Sequence, residues 1–272
     1  MPELPEIETL VLQLNRALEG RRISEVQIRH SSLLQNPRKE FQRQMVGERI
    51  TRIGRRGKYI HIDLSHDRAL WFHLGMTGQL FLEHPPESLK PHTHFIVSFF
   101  ESKKKLFFRD VRRFGRIALT SRDEGKIPEG VRRLGLEPRQ WDPQDLAAAS
   151  KKRKTRIKSL LLDQRLVSGL GNIYADESLH RARIRPLTRT HRISAARAAR
   201  LHQAMCEVLE EAIRLGGSSI DDYIHLDGSK GEFQNFHQVY GRAGKNCFGC
   251  GNLIRSVKIS GRTSSFCPHC QQ

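Results

Sequence analysis

Tyr59-Ile60-His61-Ile62-Asp63-Leu64 places Ile60, Ile62 and Leu64 on one face and Tyr59, His61 and Asp63 on the other. That period of two describes a strand with one side in a core. Similar short runs recur on its C-terminal side, at Leu70–Phe72, Phe95–Phe100, Leu106–Phe108 and Ile117–Leu119, each bounded by turn-forming residues. So many short strands between 21 and about 121 predict a β-sandwich or barrel. On the N-terminal side the period changes. Leu4, Ile7, Leu10, Val11, Leu14 and Leu18 recur at steps of three and four, which predicts a helix over 3–19 that Gly20 stops. Pro5 is tolerable there because it falls in the first turn.

Beyond the strands, Gly125 to Pro138, with Pro128, Gly130 and Gly135, reads as a linker. From 142 to about 215 the chain is helical. One helix starts at Pro143, a second covers Lys151–Leu166, a third Asn172–Ala182, and the longest spans 194–215. The glycine-rich stretch 216–245 reads as loop. The expected fold class is α+β: an N-terminal helix with a β-sandwich domain over 1–124, a linker over 125–140, a helical domain over 141–234 and a zinc module over 235–272.

Lysine and arginine number 47 against 29 acidic residues, a formal net charge of +18 over 272 residues. A balance that basic points to a polyanionic partner, nucleic acid before an acidic membrane. No apolar run approaches the roughly 18 residues of a membrane span. Met1-Pro2-Glu3-Leu4-Pro5-Glu6 is acidic where a signal peptide would be basic, so a cytoplasmic protein is expected.

Four of the five cysteines form two Cys-x2-Cys pairs, Cys247/Cys250 and Cys267/Cys270, sixteen residues apart. That spacing suits one structural Zn2+ held by four thiolates. Two disulfides or a redox pair compete with this reading, but the first needs an extracellular context and the second only one pair. Cys206, in an alanine- and leucine-rich stretch, reads as a buried core thiol.

Pro2 and Glu3 offer covalent chemistry. Removal of Met1 would leave Pro2 as a free secondary amine able to attack an aldehyde-like carbon and form an iminium. A typical α-amine has a pKa about 7.7–8.0 against about 10.4 for lysine, which raises its free-base fraction at neutral pH roughly a few hundredfold, somewhat less for proline. Glu3 is placed to move a proton beside that nitrogen. Glu6, one turn on, shares its helix face. The competing reading is that acidic residues in a first turn merely suit the helix dipole.

Met-Pro-Glu-Leu-Pro-Glu-Ile-Glu-Thr at residues 1–9 resembles the N-terminus of the bacterial formamidopyrimidine-DNA glycosylases, and later segments match in order over essentially the full length. The resemblance implies an enzyme that excises oxidised purines from double-stranded DNA and cuts the strand through an N-terminal proline Schiff base. In that family Pro2 would be the nucleophile, Glu3 its acid/base partner, and Glu6 a residue of the damaged-base pocket.

Lys58, in Arg56-Gly57-Lys58, would neutralise a phosphate, although a lysine at a strand edge is more often solvated. Met76, Arg112 and Phe114 resemble the set that fills the void left by an extruded base, whereas apolar residues in β-rich segments are ordinarily core. The related endonuclease VIII branch lacks that trio. Lys151–Lys158 packs six cations into eight positions and leads into Val167–Glu177, which resembles the family's helix-two-turn-helix element. Asn172 would there hold the DNA backbone or merely cap its helix. Arg262, in Gly261-Arg262-Thr263, and Tyr240, in Val239-Tyr240-Gly241, match further phosphate contacts. Gly216-Gly217-Ser218-Ser219-Ile220 matches the start of the loop over the extruded base, but Asp221-Asp222 follow where many relatives carry a basic residue.

A bifunctional glycosylase/lyase acting as a monomer is therefore the leading expectation. The alternatives are the same family with a shifted, endonuclease VIII-like lesion spectrum, or a non-catalytic zinc-containing lesion binder that would need neither Pro2 nor Glu3.

Overall fold

The computed structural model describes residues 1–121, 126–220 and 222–272. They form two compact units. One comprises Met1–Arg132 with Leu215–Glu232, the other Arg133–Arg214 with Phe233–Gln272.

The first unit is a sandwich of two separate four-stranded antiparallel sheets, not a barrel. One sheet has the order β1 (Ile23–Ile28), β6 (Thr93–Phe99), β7 (Ser102–Asp110), β5 (Gly78–Glu83); the other runs β2 (Ile50–Arg56), β3 (Tyr59–Leu64), β4 (Arg68–His73), β8 (Arg116–Ser121). The alternation in β3 works as expected. Ile60, Ile62 and Leu64 enter the core together with Ile7, Leu10, Leu14 and Leu18 of α1 (Leu4–Leu18). The opposite face is covered as well, because Tyr59 packs with Ala69, Trp71, Ala118 and Val131. Burial of two apolar layers, at about 25 cal/mol per Å2, is what holds the sheets face to face.

Val131 belongs to α3 (Glu129–Arg132), so 126–132 of the expected linker are part of the sandwich unit and 133–140 of the second unit. The Pro128 carbonyl accepts the Val131 and Arg132 N–H groups and starts that turn of helix. The expected domain end at 124 and linker start at 125 lie outside the described residues. A further helix, α2 (Arg38–Met45), buries only Phe41 and Met45, one turn apart, too sparse a stripe to show among its charged neighbours.

The second unit holds α4 (Pro143–Lys151), α5 (Ile157–Leu162), α6 (Asn172–Arg181), α7 (Ala195–Arg214) and the hairpin β9 (Arg255–Ile259) and β10 (Arg262–Phe266). The helix expected over Lys151–Leu166 is shorter. It covers only Ile157–Leu162, because a helix through the cation run would stack like charges at three- and four-residue steps. The backbone at 155–157 is used elsewhere: Thr155 accepts from Thr190 N–H at 2.9 Å and Ile157 N–H donates to Thr188 at 2.8 Å. Cys206 on α7 is half-buried, not a core thiol.

The stretch 215–232 groups with the sandwich, whereas the expected boundaries placed it with the helices. Its backbone accounts for this. Leu82 N–H donates to Leu226, Leu226 N–H to the Gln13 side chain, and Glu232 N–H back to Leu215.

Candidate nucleic-acid interface and active site

Pro2 and Glu3 lie buried at the start of α1. Glu3 and Glu6 form a capping box, in which each side chain accepts the other's backbone N–H. The Glu3 N–H reaches Glu6 Oε2 at 2.8 Å. Glu6 Oε1 takes a second donor, the Ser218 N–H, also at 2.8 Å. The carboxylate of Glu6 thus joins Glu3, next to Pro2, to the beginning of the 215–232 loop. Gly217 sits against it with φ +81°, and a Cβ there would come within 2.8 Å of Glu6 Oε1, so only glycine fits. Tyr223 closes the same corner, its hydroxyl donating to the Gly216 carbonyl at 3.2 Å. Burial, then the Glu6 charge, raise the Tyr223 phenol pKa, so it remains a donor.

Lys58 stands between β2 and β3, in a turn where Gly57 has φ +56°. It is 6% exposed, so the solvated strand-edge reading fails. Beside it is His73, which burial, then the Lys58 and Arg116 charges, pull down to about 4. The imidazole is neutral at physiological pH and leaves the charge there to Lys58 and Arg116.

Met76 and Phe114 are 43% and 49% exposed, which excludes a core role for either. They occupy the β4–β5 and β7–β8 loops, and the Arg112 guanidinium joins them. It lies 4.6 Å from the Phe114 ring centroid and 3.5 Å from the Met76 sulfur. Both loops hang on Asp110, a fully buried carboxylate whose role the sequence did not disclose. Its Oδ1 accepts from the Thr77 hydroxyl at 2.5 Å and its Oδ2 from Gly115 N–H at 2.7 Å, while Thr77 Oγ1 accepts from Arg112 N–H at 3.1 Å. The trio is a prearranged exposed cluster of two apolar tips and a cation.

In the second unit the cap of α6 is Gly171, not Asn172. Asn172 is the first helical residue, and its Nδ2 donates to the Thr263 carbonyl at 2.9 Å. One N–H of that amide therefore serves the hairpin, and the second can serve a phosphate. Arg262 opens β10 immediately after a two-residue turn, Ser260-Gly261, with φ of +49° and +75°. The turn aims the exposed Arg262 from the hairpin tip. Tyr240 is held from below: the Glu177 carboxylate accepts the N–H groups of Gln238, Val239 and Tyr240 at 2.9, 3.0 and 2.8 Å. Burial raises the Glu177 pKa against the pull of those three bonds. Nothing in the sequence set Glu177 apart from any acidic helix residue.

The Sγ atoms of Cys247, Cys250, Cys267 and Cys270 all lie within 4.8 Å of one another. Cys247 and Cys270 are 3.9 Å apart, Cys250 and Cys267 3.5 Å. A tetrahedral ion with Zn–S bonds of about 2.3 Å needs edges of about 3.8 Å, so the four thiols fit one Zn2+. Asp221 lies outside the described residues. Its neighbour Asp222 is exposed, and its carbonyl accepts from the Gln79 side-chain amide.

The comparisons match this arrangement from end to end. Residues 1–117 fit the formamidopyrimidine-DNA glycosylase N-terminal domain, residues 134–223 the H2TH domain of that family, and residues 244–272 the zinc finger found in FPG and IleRS. A formamidopyrimidine-DNA glycosylase from Solibacter usitatus (strain Ellin6076) is 45% identical over 100% of both chains. The chain belongs to the formamidopyrimidine-DNA glycosylase family. It is thus a DNA glycosylase with a structural zinc finger, and its α+β architecture is the family's. Among solved structures, a Lactococcus lactis FPG mutant in complex with Fapy-dG-containing DNA has a TM-score of 0.93 at 36% identity, covering 100% of both chains. The Lactococcus lactis Fpg complex with abasic-site DNA gives 0.92 at 36% identity, covering 99% of both. No helix among the described residues is long and apolar enough to cross a membrane.

Proposed function

We propose that this chain is a bifunctional DNA glycosylase and abasic-site lyase that excises oxidised purines from duplex DNA. The carrying observation is the pair Pro2-Glu3, fixed by the α1 capping box in a unit that also presents the Met76–Arg112–Phe114 wedge. Met1 removal frees the Pro2 amine. That nitrogen attacks C1′ of the damaged nucleotide as the C1′–N bond breaks, and the base leaves with its electron pair and takes up the proton that the amine gives up. Glu3 donates to the sugar ring oxygen, the ring opens, and the iminium forms. The cation draws electrons from the C2′–H bond. Loss of that proton expels the 3′ phosphate, and a second elimination expels the 5′ phosphate, leaving a one-nucleotide gap.

The wedge fills the space of the extruded base, and Arg112 contacts its orphaned partner. Lys58, Asn172, Arg262 and Tyr240 bind phosphates, and Glu6 orders the loop that covers the base. The Zn2+ held by the four cysteines supplies rigidity to the hairpin's base and no bond chemistry. Relatives complexed with Fapy-dG and abasic-site DNA support the oxidised-purine reading. A bacterial cytoplasmic location follows from that substrate.

Borohydride added during turnover on abasic-site duplex tests the mechanism. A covalent protein–DNA adduct is expected, lost when Met1 is retained or Pro2 blocked. Tight binding with no adduct and no strand cleavage would establish the lesion-binder alternative.

A further inference from the structure

We propose that Lys158 and Asp176 are a positioning pair that sets Arg262 on its phosphate; the inference rests on the reading of Arg262 as a phosphate contact. Lys158 is the one cation of the basic run that the fold takes inside. It and Asp176 are both fully buried, with Nζ and Oδ1 2.7 Å apart. Such a pair is a poor investment for stability alone, since apolar residues of similar volume commonly do as well. What distinguishes this one is where its remaining hydrogen bonds go. Lys158 Nζ donates to the Thr263 carbonyl at 3.3 Å, and Asp176 Oδ2 accepts the Ser265 N–H at 2.9 Å. Both bonds land on β10, on either side of Ser264 and directly after Arg262.

Two more contacts complete the attachment. Asn172 donates to the same Thr263 carbonyl, and the Ser159 and Ser260 hydroxyls meet at 2.8 Å on the other side of the turn. The metal site cannot do this work. Cys267 is the nearest ligand along the strand, five residues from Arg262, or about 16 Å of extended chain. A Zn2+ there fixes the base of the hairpin, while the buried pair fixes the strand one residue from the arginine. Removing the pair should leave the metal in place and free the tip.

A double-mutant cycle on the zinc-loaded full chain tests this, with a duplex carrying a stable abasic-site analogue. R262A alone is expected to weaken binding about tenfold and reduce the magnitude of the salt slope by about one. The apolar replacement K158M/D176L should do much the same while keeping one zinc per chain. Adding R262A to it should then cost less than about twofold. If R262A costs the same tenfold in both backgrounds, the pair does not position the arginine and the proposal falls. If R262A alone changes nothing, the phosphate-contact reading fails instead. Should K158M/D176L not yield folded, zinc-loaded protein, D176N, which keeps an acceptor for Ser265, enters the same cycle with the same two outcomes.

Discussion

Asp110 shows how much a single side chain can organise. A buried carboxylate that accepts from Thr77 and Gly115 couples the loop of Met76 to the loop of Arg112 and Phe114. An amide at that position accepts through one atom only, so D110N should strand the other donor and cost about 1–3 kcal/mol, measurable by denaturant unfolding. The same variant should lower kcat/KM on a lesion in duplex DNA more than on a single strand, where no void needs filling. Equal losses on both substrates would separate Asp110 from the wedge. At Glu3 the expectation is a division of steps. E3Q should still give a borohydride adduct at a pre-formed abasic site but lose base excision, because amine attack there does not require the carboxyl proton.

Among the elements, α6 carries the most responsibility per residue. Within six positions it supplies Asn172 to Thr263, Asp176 to Lys158 and Ser265, and Glu177 to the turn of Tyr240. Asp176, Glu177 and Ser178 are buried along with Tyr174, Ala175 and Leu179, so polar and apolar residues share its buried surface. That is why a helix recognisable at Asn172–Ala182 did not announce Asp176 or Glu177 as positioning groups. The hairpin β9–β10 depends on both the metal and α6. Chelation of zinc should lower duplex affinity by loosening the hairpin's base, while the sandwich unit keeps its secondary structure by circular dichroism. Unchanged affinity after verified zinc loss would show that the α6 contacts alone hold the element.

Two bulk properties follow for the whole molecule. If 6–8 phosphates are neutralised, the slope of log affinity against log salt should be about −5 to −7, and a flat response would contradict the phosphate contacts assigned above. Stability should also depend on pH through three histidines, His237 buried and His73 and His180 partly so. His73, His180 and His237 are each pulled down to about 4, in every case chiefly by burial. An unfolded chain takes up protons near 6.5 that the native protein refuses until near 4. Their contribution is therefore complete above about pH 6.5 and declines as pH falls to 4, by up to roughly 1.4 kcal/mol per pH unit for each histidine. Urea unfolding between pH 7 and 4.5 measures this, and an unfolding free energy constant across that window would refute it.

By itself the sequence determined what depends on short spacing. The period of two in 59–64 marked a strand with Ile60, Ile62 and Leu64 in the core, Leu4 to Leu18 a helix, and the paired Cys-x2-Cys motifs a metal site, because each is set by neighbours within a few residues. Pro2-Glu3 and Asn172 stood out as candidates for the same reason, as local motifs. Tertiary structure decided the rest. Only folding could show that 126–132 and 215–232 belong with the sandwich, that the basic run ends one helix and begins another, and that Lys58 and Lys158 are buried. The physical reason is that burial and ion pairing are set by partners far away in the chain: Asp110 finds Thr77, Lys158 finds Thr263, and Glu6 finds Ser218 at a separation of 212 residues.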